Sequence, residues 1–147
     1  MTARSVQVRI PLRWKDMDAY GHVNNIAVVQ VLEEARVAAF GVPSGTGAPG
    51  APTPPIDLLQ NAAEGVHTFI SEHTVKYRRQ LPYRPVPLRV TVRVDAVKAA
   101  SVHVGYELRD GVDDALCVTA TSVMVFVDAA SGRPVRITPE QRAALEA

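Results

Sequence analysis

The sequence predicts an α+β fold in which an antiparallel sheet of about five strands wraps around one long buried helix. Strand-like segments fill the second half of the chain, and one more precedes the helix. A single stretch, residues 26–40, is apolar over most of a helical circumference and must therefore be covered. A chain of 147 residues can bury one core and is too short for two, so we expect a single domain over residues 1–147.

The first strand is indicated by apolar residues at every second position, namely Val6, Val8, Ile10, Leu12 and Trp14. Such alternation is typical of a half-buried antiparallel strand. Pro11 has no N–H to donate to a neighbouring strand. We therefore expect this strand at an edge of the sheet, or with a bulge at Pro11.

The helix has recognisable signals at both ends. Asn24 or Asn25 can cap its start, because an Asn side chain accepts from the free N–H groups of the first turn. Gly41 suits the position after its last residue, and Pro43 prevents continuation. Its polar positions are few: Gln30, Glu33, Glu34 and Arg36. Glu33 and Arg36 have the spacing of a weak ion pair.

Residues 41–55 read GVPSGTGAPGAPTPP, a composition that predicts a flexible surface loop. Four more strands are predicted at residues 66–78, 88–97, 102–109 and 116–127. The last of these is apolar on both faces, which favours a place inside the sheet. The connections between the last three strands are too short for βαβ crossovers and favour hairpins. A short helix is expected to start at Thr138, with Pro139 at its first position.

The formal net charge of +1 supplies no strong field to attract nucleic acid or an anionic membrane. No apolar run approaches the roughly 18 residues of a membrane helix, and the first residues lack a signal-peptide pattern, so we expect a cytoplasmic protein. The single Cys117 excludes an internal disulfide and offers no zinc-type cluster. His67, His73 and His103 fall in predicted strands without metal-ligand spacing, and we expect them to be structural.

Residues 13–36 read RWKDMDAYGHVNNIAVVQVLEEAR, and residues 75–90 read VKYRRQLPYRPVPLRV. Together with the element order, these segments resemble the 4-hydroxybenzoyl-CoA thioesterase group of the hotdog superfamily, over nearly the whole chain. The resemblance implies the hotdog fold and hydrolysis of an acyl-CoA thioester to the free acid and CoA. It implies no cofactor, because CoA is part of the substrate.

The resemblance places the reaction at Asp18, which would act as nucleophile or as general base towards water. The helix N-terminus would hold the oxyanion, with the N–H of Asn25 as the candidate donor, assisted by that of Gly21 or His22. In the similar acyl-carrier-protein thioesterases of plants, an Asp and a His at the spacing of Asp18 and His22 share the active site. Tyr20 stands where those enzymes place an Asn, so that part of their pattern is not met.

For the CoA end, the turn at residues 98–101 is similar to one that contacts nucleotide phosphates in related thioesterases, which makes Lys98 and Ser101 candidate ligands. Three arginines are further candidates because guanidinium groups bind phosphates well: Arg78, Arg79 and Arg84. Asp16, two residues before the candidate carboxylate, is expected to be structural or exposed.

Two other functions remain open on this fold, a hydratase or dehydratase and a non-catalytic acyl-CoA binding module. Hydratases of this type use a His in a differently placed helix motif, and residues 26–40 contain no His. The intact Asp18 favours an enzyme over a binding module. In similar proteins two sheets join edge to edge, so we expect a homodimer or homotetramer with active sites between subunits.

Overall fold

The computed structural model describes residues 4–43, 46, 49–50, 52–59 and 62–147. It contains one five-stranded antiparallel sheet in the order β1-β3-β4-β5-β2. The strands are β1 (Ser5–Ile10), β2 (Val66–Tyr77), β3 (Leu88–Val97), β4 (Ser101–Arg109) and β5 (Leu116–Asp128). The helices are α1 (Asn25–Phe40) and α2 (Pro139–Glu146), with a single 3-10 turn at Trp14–Asp16. The predicted α+β class with five antiparallel strands is confirmed.

The sheet order agrees with the two expectations about strand position. β1 is an edge strand, which is one of the two arrangements expected from Pro11, and β5 lies inside the sheet between β4 and β2. The alternation of apolar residues that predicted β1 nevertheless continues beyond the end of the strand. The strand ends at Ile10, directly before Pro11, and Trp14 lies in the 3-10 turn with 74% of its surface exposed.

Helix α1 packs one face against the sheet and leaves the opposite face exposed. Asn24 is its N-cap, and the Asn24 side chain accepts from Ile26 N–H. At the other end Gly41 has a φ of 81°, and its N–H donates to Val37. Seven of the sixteen helical residues are buried, whereas Ile26 and Val37 are exposed. The expected burial over most of the helix circumference is therefore not found in the single chain.

The core lies between α1 and the inner face of the sheet. Its largest fully buried side chains include Leu32, Phe40, Tyr106 and Phe126. The predicted flexible loop at residues 41–55 lies partly outside the described residues. Directly after it Ile56 and Leu58 are buried, and Ile56 N–H donates to the carbonyl of Ala39 at the end of α1. The sequence analysis missed this second anchoring of the helix end.

The terminal helix α2 starts as predicted, with Thr138 as N-cap and Pro139 as first residue. The Thr138 hydroxyl accepts from Gln141 N–H, and the Gln141 side chain accepts from Thr138 N–H. No helix in the described ranges is long and apolar enough to cross a membrane.

The complete burial of Leu32 generates a prediction about stability. Leu32→Ala is expected to lower the free energy of unfolding by about 2 to 5 kcal/mol, because it removes apolar contacts and leaves a cavity. Urea denaturation measures this change. Glu34→Ala, at an exposed position of the same helix, is the control and is expected to stay within about 0.5 kcal/mol of the unchanged protein.

Candidate active site

A tight turn at residues 18–22 precedes helix α1. Asp18 N–H donates to the carbonyl of His22 over 2.7 Å, and Met17 pairs with Val23 in an antiparallel bridge. Gly21 has a φ of 82°, while a Cβ there would meet no atom within 4 Å. Glycine is thus needed for its backbone conformation and not for space.

This turn is bound to the segment that follows β2. Val23 N–H donates to the carbonyl of Leu81 over 2.7 Å, and Tyr83 N–H donates to that of Gly21 over 3.2 Å. His22 and Pro82 form a further bridge between the same segments. The position of the turn is therefore set by residues about 60 positions away in the sequence.

The Asp18 carboxylate is held through one of its two oxygens. Oδ1 accepts from Tyr20 N–H at 2.7 Å and from His22 N–H at 3.1 Å. In the part of the chain that is described, Oδ2 accepts no hydrogen bond. The backbone N–H groups of His22 and Tyr20, and the charge of the His22 ring to a lesser extent, hold the pKa of Asp18 below its usual value. Asp18 is therefore ionised at neutral pH and keeps one oxygen available.

Asp16 differs from Asp18 in that both of its carboxylate oxygens accept hydrogen bonds. It is buried, Oδ2 accepts from Arg13 N–H at 2.8 Å, and Oδ1 lies 3.0 Å from Arg13 Nη2. Burial raises the pKa of Asp16, but the hydrogen bonds and charge of Arg13 outweigh that effect and the net pKa is lowered. The Asp16 carbonyl also accepts from Asn24 N–H at the start of α1. Both carboxylate oxygens of Asp16 are engaged in structure, as the sequence analysis expected.

The first turn of α1 supplies hydrogen-bond donors beside Asp18. The Asn24 side chain satisfies the N–H of Ile26, whereas no described residue accepts from the N–H of Asn25. The Tyr77 hydroxyl donates to the Asn25 carbonyl over 3.1 Å and ties the helix start to the end of β2. An unpaired N–H at the positive end of a helix is suited to binding a negatively charged oxygen.

These groups meet in a cleft of about 290 Å³. Five of the candidate catalytic and ligand-binding residues line it: Asp18, His22, Asn25, Arg78 and Arg79. Its other walls include Val28 and Val118, which are apolar and buried. A larger cleft of about 380 Å³ is lined by Asp16, whose two oxygens are engaged, and by Glu33 and Glu34, which lie in the middle of α1 and away from the N–H groups of its first turn. The smaller cleft is therefore the candidate active site.

Lys98 and Ser101 lie elsewhere. Ser101 pairs with Val125 on β5, whereas the cleft residue Tyr77 pairs with Val118. Seven residues of extended strand separate the two pairs, which corresponds to about 23 Å. The Lys98 carbonyl accepts from Arg142, and its N–H donates to Ser101. Within one chain this turn is remote from Asp18.

The other arginine candidates divide into two kinds. Arg84 donates through Nε and Nη2 to the buried Asp110, so its guanidinium supports the fold. Arg78 lines the cleft, and its Nε donates to Thr119 over 2.8 Å. Arg79 lines the cleft as well, and its guanidinium donates no hydrogen bond to a described residue. Of the three, Arg79 is the most available to a ligand.

Sequence reasoning missed the part played by Tyr77. Its position near the end of β2 was visible, but its contact with Asn25 depends on how α1 crosses the sheet. Val28 and Val118 were missed as cleft residues for the same reason. No local pattern distinguishes an apolar residue that lines a cleft from one that fills a core.

A model of the thioesterase-like superfamily matches residues 12–145 of the chain. The uncharacterised protein YsmA of Bacillus subtilis is 25% identical over 137 residues, which is 93% of this chain and 82% of YsmA. The PA2801 protein of Pseudomonas aeruginosa, named as a candidate thioesterase, is 26% identical with a TM-score of 0.71 and 94% and 95% of the two chains covered. A DHNA-CoA thioesterase of Staphylococcus aureus shares the fold at 16% identity, with a TM-score of 0.69 and coverages of 98% and 89%.

The hydrogen bonds of Asp18 predict its titration. In the folded protein the pKa of the Asp18 carboxyl is expected to lie below its ordinary value, whereas in urea it should return to about 3.9. A depressed folded pKa means that Asp18 contributes stability above its unfolded pKa, and that this contribution is lost as the pH falls through the folded pKa. Carboxyl chemical shifts followed by NMR against pH measure both values. An unchanged pKa in the folded state would contradict the observed hydrogen bonding.

Proposed function

Because the chain belongs to the thioesterase-like superfamily and has its hotdog fold, we propose that it hydrolyses an acyl-CoA thioester to the free acid and CoA, in the cleft between Asp18 and the start of α1. The observation that carries the proposal is the pairing of two groups there. An ionised carboxylate with one free oxygen lies in the same cleft as an unpaired helix N–H. Thioester hydrolysis needs an attacking oxygen and a donor for the oxyanion, and these groups supply both.

Asp18 provides the attack. Its ionised carboxylate has one oxygen that accepts no hydrogen bond from a described residue, and in this proposal that oxygen attacks the thioester carbonyl directly. A carbon–oxygen bond forms as the carbon–sulfur bond breaks, which gives a mixed anhydride and CoA thiolate. Water then hydrolyses the anhydride and regenerates the carboxylate. A burst of thiol release in the first turnover would distinguish this route from general-base catalysis.

The neighbouring groups have supporting roles in this proposal. The Asn25 N–H donates to the developing oxyanion, while His22 steadies the thiolate or orients the second water. The Gly21 N–H donates to the Asp18 carbonyl over 3.3 Å, so this N–H is already engaged in the turn. Arg79 is free to bind a CoA phosphate. Lys98 and Ser101 lie about 23 Å away by strand register, and in this proposal they contact CoA from a second subunit.

The free edge of the sheet supports an assembly of two chains. β2 is a twelve-residue edge strand, and Phe69 on it is 49% exposed. Long unpaired edges with exposed apolar side chains pair readily with another strand. The exposed Ile26 and Val37 on α1 need cover as well. We propose that β2 pairs with β2 of a second copy, which places the Asp18 cleft at the subunit interface.

The first test of the function compares thiol release by the unchanged protein with that by Asp18→Asn. A panel of aliphatic and aromatic acyl-CoAs is assayed at saturating concentration. Asp18→Asn is expected to lower kcat by about 10²-fold or more, because the amide neither attacks nor accepts a proton.

Asp113→Asn is the matched control, since Asp113 also accepts from the N–H two residues later, but in the β4–β5 connection. It should retain full activity. Full activity of Asp18→Asn would show that the site is wrong. Binding of acyl-CoA without thiol release by the unchanged protein would favour a binding module or a hydratase.

The edge strand generates a second prediction. Phe69→Lys is expected to raise the dissociation constant of the dimer, because a lysine on an edge strand opposes strand pairing. Activity should fall in step with the dimer fraction, since the site needs both copies. Sedimentation velocity and thiol release, measured over the same range of protein concentration, test both statements. Val112→Lys, at an exposed position in the β4–β5 connection, is the control. A monomeric and fully active Phe69→Lys variant would refute the shared site.

A further inference from the structure

A polar cluster of Arg36, His73, Tyr106 and Ser122 lies between α1 and the inner face of the sheet. Arg36 Nη1 donates to the Tyr106 hydroxyl over 3.2 Å, and His73 Nδ1 lies 2.7 Å from Ser122 Oγ. Tyr106 and Ser122 are each only 1% exposed. None of the four lines the cleft at Asp18, so the hydrolytic step does not account for them.

The guanidinium of Arg36 has no acidic partner in this cluster. Among the described residues it enters no ion pair, and the pairing expected with Glu33 is not formed. Partial burial, and to a lesser extent the charge of Arg36, lower the pKa of His73, which keeps its ring neutral. A half-buried cation beside a neutral imidazole and two hydroxyls is an environment that favours an anion.

The cluster is connected to the candidate active site along both α1 and β2. Asn25 and Arg36 are eleven residues apart, which is about three helical turns, so they share one stripe of α1 some 16 Å apart. On β2, Tyr77 contacts Asn25, and His73 lies four residues away on the same face, about 13 Å distant. The path along α1 and the path along β2 therefore both run from the Asp18 cleft to the cluster.

The surface between these two ends is apolar. Val29 lies on the same helical stripe as Arg36, and Val75 lies between His73 and Tyr77 on β2. Both valines are half-buried, and Val75 packs against the core. We call this surface, from Asn25 and Tyr77 past Val29 and Val75 to Arg36 and His73, the acyl groove.

We propose that the cluster at the far end of the acyl groove selects acyl groups that end in a carboxylate. This inference rests on the proposed function, because it takes the thioester to lie at Asp18. The methylene chain contacts the two valines, and the distal carboxylate accepts from the Arg36 guanidinium, whose planar donors match its two oxygens. His73 and Ser122 lie beside it as further hydrogen-bonding groups. A methyl-ended chain of the same length leaves the Arg36 guanidinium without an anionic partner.

The test measures binding apart from catalysis. Non-hydrolysable CoA thioethers are prepared as pairs of equal chain length, one ending in a carboxylate and one in a methyl group. Isothermal titration calorimetry gives the Kd of each. At the length that spans the acyl groove, the carboxylate-ended thioether is expected to bind about 10- to 100-fold more tightly, the size of a hydrogen-bonded charge interaction.

Arg36→Gln should abolish that preference, so that the two thioethers bind with the same Kd. Arg36→Lys retains the charge without the planar donors and should give an intermediate preference. Arg89→Gln is the matched control, because Arg89 lies on β3 in an exposed pair with Asp114. It should bind both thioethers as the unchanged protein does.

Equal binding of the two thioethers by the unchanged protein would overturn the inference, as would a preference that survives in Arg36→Gln. A weakened dimer with unaltered ligand preference would assign Arg36 to contacts between copies, and would overturn it too. Thiol release from the corresponding acyl-CoAs is measured in parallel. Hydrolysis without a carboxylate preference refutes only the distal subsite, whereas the preference without hydrolysis refutes only the proposed reaction.

Discussion

The backbone hydrogen bonds between residues 21–23 and residues 81–83 hold the candidate site together. They fix the turn that carries Asp18 to the segment leaving β2, and the same segment begins just after Tyr77. Because Tyr77 in turn ties down Asn25, the carboxylate and the helix N-terminus are located relative to one strand end. A loop positioned by a rigid sheet can then present reactive groups with little conformational freedom.

The two acidic residues near the helix show how environment divides one residue type between two roles. Both Asp16 and Asp18 have lowered pKa values, so ionisation alone does not separate them. Asp16 uses both oxygens on Arg13, and its backbone carbonyl holds Asn24. In Asp18, Oδ1 accepts hydrogen bonds from the turn, whereas Oδ2 accepts none from a described residue. The number of free lone pairs, more than charge, makes Asp18 the candidate for the reactive carboxylate.

Elements governed by local pattern could be predicted, and those governed by long-range contact could not. The span of β3 and the capping of α2 follow from alternation and from Thr138 with Pro139. The end of β1 was misjudged because the apolar period continued past Pro11. The choice of Asp18 came from a resemblance, while Tyr77 and the Arg36 cluster depend on how α1 crosses the sheet. Pairs so far apart in sequence leave no periodic signal.

The half-buried state of α1 connects the proposed assembly with the proposed specificity. In the single chain the helix has an exposed side that begins near Ile26 and reaches Val37, and β2 is an unpaired edge strand. A second copy on that edge would remove water from the acyl groove as well as from the apolar side chains. Electrostatic attraction between Arg36 and an anion strengthens as water is excluded. Dimerisation would then increase selection at the far end of the groove, so that assembly and substrate choice depend on the same surface.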